Sequence, residues 1–302
     1  MRVAIITPAQ PVHHQHFCAH LARRHDVVGI VHPRARAGGR GAQLKRLRRE
    51  VKAYGAGHAL IRTLASVPGP LRGWDAAAAR GPALRAVFNG AAAEYEQLAA
   101  PMARSVDDVN GPEAVEYVRG LNADVVVCLG GPIYRKPLIE AAPLMVNFHS
   151  GISPLYNGTS TIAFAFANGH PHLCGGTLML MSRTVDGGDI LAHYLPAIEP
   201  ADDPATLFAK TVAGAAQATD AFLAHLEGEA RFVSCPQPPP LFYYRGADWT
   251  IDHGQRVRRA LEGGIAQEHL RDERLEPYWD ARDADDARTR INSVLAGLLQ
   301  LS

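Results

Sequence analysis

The chain has 302 residues, 47% of them apolar and 20% charged, ordinary globular usage that excludes a disordered or collagen-like protein. A formal net charge of +1 gives no reason to expect a dedicated nucleic-acid or membrane-surface binder. No apolar run is long enough to span a bilayer, no signal-peptide pattern opens the chain, and Cys18, Cys128, Cys174 and Cys235 form no Cys-x-x-Cys pair, so a cytoplasmic protein with reduced thiols is expected.

Residues 3–7 are a β-branched run closed by a turn with Pro8 and Pro11, and read as a first strand. A helical period over 13–24 and a second strand pattern over 27–32 complete a strand–helix–strand unit. Such a unit implies a right-handed crossover and a parallel sheet. From 33 to about 100 the pattern loosens into an Ala- and Arg-rich region of expected helices. Its first part is basic: residues 34–62 carry Arg34, Arg36, Arg40, Lys45, Arg46, Arg48, Arg49, Lys52 and Arg62 against Glu50 alone. Alternation returns with a helix over 112–121, a strand over 124–129, a helix over 136–141 and a strand over 144–148. A helix over 159–168, strands over 176–181 and 189–196, and an amphipathic helix over 208–226 follow.

A proline-rich break at 236–240 then interrupts the chain. Short strands are expected over 241–251 and a closing helix over 288–301. Ile291, Val294, Leu295, Leu298 and Leu299 fall on one face of that helix, which is expected to pack on the chain's own core. This order predicts a doubly wound, mostly parallel, Rossmann-like α/β domain over 1–228. It would carry a helical basic insert at about 34–100 and be followed by a small C-terminal extension over 229–302.

Chemistry concentrates between 124 and 191. Asn147 and His149 stand two apart at a strand end, so both project from one face, at the carboxyl edge where open α/β sheets hold ligands. A loop with Ser150, Gly151, Tyr156 and Asn157 follows. A second loop carries Thr184, Val185 and Asp186 beside Gly187 and Gly188. Amide, imidazole and carboxylate together suit acyl transfer: the first two can hold an oxyanion, and the third can orient the imidazole and take a proton. No Ser, Cys or Lys stands in a nucleophile-elbow setting, which favours direct transfer from a bound donor over a covalent acyl-enzyme.

Asn147, Phe148, His149 and Ser150, then Ser153 and Pro154, then Tyr156, Asn157 and Gly158, then Gly176 and Thr177, then Val185, Asp186, Gly187, Gly188 and Asp189 together resemble the 10-formyltetrahydrofolate-dependent formyltransferase family. The resemblance implies a soluble enzyme in which Asn147, His149 and Asp186 are catalytic. It implies that Leu129, Gly131, Pro132, Ile133, Tyr134, Thr184 and Val185 cradle the pterin of 10-formyltetrahydrofolate, largely through backbone groups. Gln10, Ser150, Gly151, Tyr156 and Asn157 would border the acceptor, and no metal is required. The activity implied is formyl transfer to the amine or hydroxylamine of a small molecule, such as an amino sugar or a biosynthetic intermediate. Methionyl-tRNA formylation and hydrolysis of the formyl donor are the alternatives.

Departures from the family pattern bear on the acceptor. The first strand–helix turn lacks a glycine-rich phosphate nest, which counts against a glycinamide ribonucleotide. Gly151 and Ser153 replace bulkier or differently placed residues after His149 and are expected to widen or re-aim that loop. The basic run resembles the tRNA-contacting insert of methionyl-tRNA formyltransferases, yet residues 229–302 hold ten Arg against twelve acidic residues, a net of −2. Transfer RNA is therefore the second choice of partner. Arg245, Asp248, Ile251 and Asp252 resemble a segment that opens the C-terminal part of several formyltransferases. His13, His14 and His16, and His170 and His172 with Cys174, lack the spacing of a structural zinc site, and surface or capping positions are expected for them. Oligomeric state is written in no motif, and a homodimer stays open.

Overall fold

Val3, Ala4, Ile5 and Ile6, all fully buried, form most of β1 (Arg2–Ile6) at the centre of the sheet in a computed structural model of the chain. The structure describes residues 1–34, 73–229 and 231–300, with residues 48, 51, 52, 55 and 57 between them. Arg36, Arg40, Lys45, Arg46, Arg49 and Arg62 of the expected basic insert thus lie outside the described residues. From β1 the chain passes through α1 (Val12–Arg24) to β2 (Asp26–Pro33), then, after the gap, through α2 (Ala76–Val87) and α3 (Ala91–Leu98) to β3 (Ala103–Val106). It continues through α4 (Pro112–Gly120), β4 (Val125–Leu129), α5 (Lys136–Ile139) and β5 (Leu144–His149). Then come β6 (Tyr156–Gly158), α6 (Thr161–Ala167), β7 (Gly176–Leu180), β8 (Ile190–Leu195) and α7 (Pro204–Gly228). The last part holds β9 (Phe242–Tyr244), α8 (Ile251–Glu262), β10 (Arg274–Pro277) and α9 (Ala284–Leu299).

Eight strands form one sheet in the order β10-β8-β7-β5-β4-β1-β2-β3. β3, β2, β1, β4 and β5 pair in parallel, whereas β5–β7, β7–β8 and β8–β10 pair antiparallel. Six of the eight strands therefore run one way, and the sheet is mostly parallel as expected. β4 is buried at every position because helices cover both of its faces. Val125, Val127 and Leu129 share a core with Phe17 and Leu21 of α1, Tyr95 of α3 and Phe222 of α7. Val126 and Cys128 face the opposite core, with Val115 and Val118 of α4 and Leu138 of α5. Helices thus pack on two sides, the doubly wound arrangement.

Residues beyond 228 are woven into this frame. β10 adds a strand beside β8, and β9 pairs in parallel with β6 in a separate ribbon. Ile291, Leu295 and Leu298 of α9 are buried in the core that also holds Ile152, Tyr156 and Phe164, while Leu299 is exposed. The helix α8, where only short strands were expected near Ile251, begins at Thr250 with a reciprocal cap involving His253. α7 starts four residues ahead of its apolar pattern because Asp203 caps it, accepting bonds from the N–H groups of Ala205 and Thr206 at 2.8 Å each.

The expectation of surface or capping histidines is corrected: His13, His14 and His172 are buried. His14 Nδ1 lies 2.7 Å from the Thr7 hydroxyl, which itself donates to the Leu129 carbonyl at 2.7 Å, so this histidine ties α1 to the ends of β1 and β4. Among the described residues no helix is long and apolar enough to cross a membrane, and no three His, Cys, Asp or Glu side chains are grouped to hold a metal ion.

Candidate active site

The carboxyl ends of β1, β4 and β5 meet at one edge of the sheet. On β5, Asn147 lies between Cys128 of β4 and Met179 of β7, and His149 lies opposite Thr177. Alternation places Asn147 and His149 on the same face as Met145, which packs in the core containing Tyr134, Leu138 and Met181. His149 is buried and Asn147 half-buried. The imidazole Nδ1 lies 3.4 Å from Asp186 Oδ1, an ion pair when the ring is protonated, and Nε2 lies 3.1 Å from the Tyr156 carbonyl oxygen. Both ring nitrogens therefore face oxygen acceptors, which fixes the plane of the ring.

The loop after β5 wraps the imidazole tightly. A β-carbon at Gly151 would lie 2.4 Å from His149 Nε2 and 2.4 Å from the Tyr156 carbonyl oxygen, so only glycine lets the chain pass there. The Thr177 hydroxyl donates to the Gly151 carbonyl at 2.7 Å and accepts from the Ser153 N–H at 2.9 Å. Thr161 donates to the Ser150 carbonyl. His193 Nε2 donates to the Ser153 carbonyl at 2.7 Å, while its Nδ1 takes the Tyr278 hydroxyl proton at 2.9 Å. Burial pushes this histidine's pKa down to about 4, so it is a neutral buried brace.

Asp186 reaches the site on a folded-back loop. The loop is closed at its base by a 2.9 Å bond from the Leu180 N–H to the Asp189 carbonyl. Asp186 has φ +51°, a left-handed conformation rare for a residue with a side chain. Its Oδ2 accepts the Gly158 N–H at 3.0 Å. Its carbonyl accepts from Asn157 Nδ2 at 2.8 Å and from Gln237 Nε2 at 2.9 Å. Gln237 was not anticipated from the sequence, since a lone glutamine among prolines carries no local pattern.

Several expected contacts are corrected. Gly151 does not widen an acceptor pocket, because the space it leaves is filled by the imidazole. The Tyr156 ring is fully buried, its hydroxyl 2.8 Å from His170 Nδ1 and accepting from Asn168 at 3.1 Å, so only its carbonyl touches the site. Asn157, also buried, holds the Asp186 loop and does not face solvent. The Leu129 side chain lies in the core on the opposite face and its carbonyl is taken by Thr7.

Of the remaining residues of the two expected pterin loops, all but Tyr134 are open to solvent. Gly131 has φ +108°, and a β-carbon there would meet the Tyr134 hydroxyl at 2.4 Å. Tyr134 is buried and donates to the Gly130 carbonyl at 2.8 Å. Pro132 and Ile133 are exposed, Ile133 by 68%, and in the loop that carries Asp186 Thr184 and Val185 are exposed, Val185 by 40%. Apolar side chains so open to solvent suit a flat heterocycle. Gln10 is exposed in the first turn at the same sheet edge, and Ser150 lines a small cavity of about 50 Å³ with Trp74, Arg80, Thr161 and Phe208.

A family profile described as formyl transferase matches residues 2–219. Methionyl-tRNA formyltransferase of Streptococcus pyogenes is 26% identical over 184 residues, covering 57% of this chain and 58% of the relative. The enzyme of the same name from Nitratiruptor sp. is 38% identical over 99 residues, 32% of each chain. The match spans little more than half the length of the first of these relatives. In fold, the chain resembles a 4-N formyltransferase from Francisella tularensis, with TM-score 0.52, 12% identity, and 86% and 87% of the two chains covered. It also resembles an N-formyltransferase from Helicobacter canadensis solved with folinic acid and dTDP-3-aminofucose, with TM-score 0.51, 12% identity, and 86% and 80% covered.

Proposed function

The chain belongs to the formyl transferase family, and from that premise we propose that it moves a formyl group from 10-formyltetrahydrofolate to the amine of a small molecule. The observation that carries this reading is the His149–Asp186 pair, 3.4 Å apart, beside Asn147 on one face of β5. Residues 1–228 form the catalytic domain, and the segment 229–302 completes its sheet and core.

The exposed apolar tips of Pro132, Ile133 and Val185, with the open backbone at Gly131, suit the donor's pterin. The donor supplies a formyl carbon: the amine nitrogen bonds to it, the bond to N10 breaks, and the amine's proton ends on N10. The amide of Asn147 meets the negative charge that develops on the formyl oxygen, and His149, held between the Asp186 carboxylate and the Tyr156 carbonyl, places its positive charge beside it when protonated. Asp186 holds the imidazole in orientation and accepts the proton lost by the amine before it passes on. Burial of His149 and Asp186 strengthens these interactions by excluding water.

A small amine acceptor is supported by the amino-sugar nucleotide held by the Helicobacter canadensis relative and by the net −2 of residues 229–302. Methionyl-tRNA as acceptor is the second reading, supported by the names of the curated sequence relatives. Incubating the full chain with 10-formyltetrahydrofolate and a panel of amino sugars, other primary amines and methionyl-tRNA tests both. A formylated small amine detected by mass is the expected product. Formylation of methionyl-tRNA alone overturns the acceptor assigned, and no formylated product with any member overturns the small-amine reading.

A further inference from the structure

The C-terminal segment reaches the Asp186 loop through two side chains and a pair of main-chain bonds. Ser234 donates to Asp189 Oδ2 at 3.0 Å, and Cys235 exchanges two main-chain bonds with Ile190, of 2.8 and 3.0 Å. These contacts lay residues 234–237 along the outgoing end of the loop. Gln237 Nε2 then donates to the Asp186 carbonyl at 2.9 Å and the Gly188 carbonyl at 2.6 Å. Its Oε1 lies 3.4 Å from Asn157 Nδ2, the other donor to the Asp186 carbonyl.

We propose that Gln237 is a positioning residue for catalysis, which holds Asp186 against His149 by clamping the two carbonyls on either side of Gly187. The inference rests on the reading of Asp186 as the residue that orients His149. A non-glycine residue at φ +51° keeps that conformation only where its surroundings enforce it. Here the enforcement comes from three donors: the Gly158 N–H on the carboxylate, and Asn157 and Gln237 on the carbonyl. Gly158 and Asn157 belong to the loop region after His149, so they fix Asp186 relative to that loop. Among the described residues Gln237 alone bonds both Asp186 and Gly188 beyond it, and it sets how the glycine turn closes. It also lies outside residues 2–219, so a part of the chain beyond the family match completes the site.

Gln237 also borders a cavity of about 330 Å³ with Pro154, Cys235, Arg288, Ile291 and Leu295. A changed side chain at 237 therefore meets open space and not packed core. This makes a clean test possible. Gln237→Met keeps the length and removes both donors. Its expected result is a kcat lower by about 10- to 100-fold, since displacement by an ångström suffices for that loss, with KM for 10-formyltetrahydrofolate within about 3-fold. Amide hydrogen exchange over residues 182–188 should quicken while the thermal midpoint stays near that of the parent. Should Gln237→Met fail to fold, Gln237→Glu replaces it in the same measurements, with the same expected result.

Asp186→Asn is measured alongside. A wild-type kcat in the Gln237 variant beside a crippled Asp186→Asn overturns the inference alone. So does a loss confined to KM, or a loss of kcat with unchanged exchange in the loop. Near-normal turnover of Asp186→Asn instead overturns the role of Asp186, and the positioning role with it.

Discussion

His149 holds a carboxylate oxygen at one ring nitrogen and a main-chain carbonyl at the other, and this pairing sets what each substitution does. His149→Ala removes the ring that Asp186 orients and the charge it carries when protonated, and Asp186→Asn leaves the shape of the pair but removes its charge and the proton acceptor. Each is expected to lower kcat by about 10²- to 10⁴-fold, with near-normal circular dichroism and thermal midpoint. Turnover within a few-fold of wild type in either variant contradicts the roles given to them. The pair of residues on β5 was legible because a strand repeats every two residues, so Asn147 and His149 must share a face. Gln237 was not: it acts through bonds to carbonyls distant in sequence, and no local pattern records such a partner. Gly151 was misread for a related reason, since a glycine that opens a pocket and one that admits a neighbouring ring look the same in sequence.

At the scale of elements, long β-branched runs such as that of β4 announce themselves, while strand direction does not. The antiparallel half of the sheet depends on which edge each strand finds, and the short β3 and β10 have little apolar pattern to betray them. The start of α7 was available in principle. Asp203 followed by Pro204 and Thr206 is a helix-opening signal ahead of the apolar period, and the structure shows both halves of the reciprocal cap. α7 packs against both β7 and β8 and against α1 and α2, so its end matters to the whole frame. Asp203→Ala is expected to cost about 1–2 kcal/mol, seen as a thermal midpoint lower by a few degrees. An unchanged midpoint contradicts the capping role.

Across the whole molecule, buried neutral histidines couple stability to pH. Burial, with a smaller push from His32, holds His14 down to about 4, and burial holds His193 down to about 4. Burial first, then His14 and Arg80, holds His13 down to about 2. Each titrates near pH ~6.5 in an unfolded chain, so below that pH the unfolded state binds protons that the folded state refuses. Stability from these groups is complete above about pH 6.5 and drains away as the pH falls toward 4. The thermal midpoint should accordingly be flat from pH 8 to 7 and fall steadily from about 6.5 to 4.5. A midpoint that holds constant down to pH 5 contradicts this picture of the core.

Passage of a formyl group to an amine at the sheet edge bearing Asn147, His149 and Asp186 leaves a direct signature in the donor. Tetrahydrofolate formation from 10-formyltetrahydrofolate, followed by absorbance on the full chain with and without acceptor amines, tests it most directly. Release that requires an amine, and that disappears in His149→Ala, is the expected result. Release at the same rate without any amine would make the protein a hydrolase of the formyl donor, and no release with any acceptor would contradict the account.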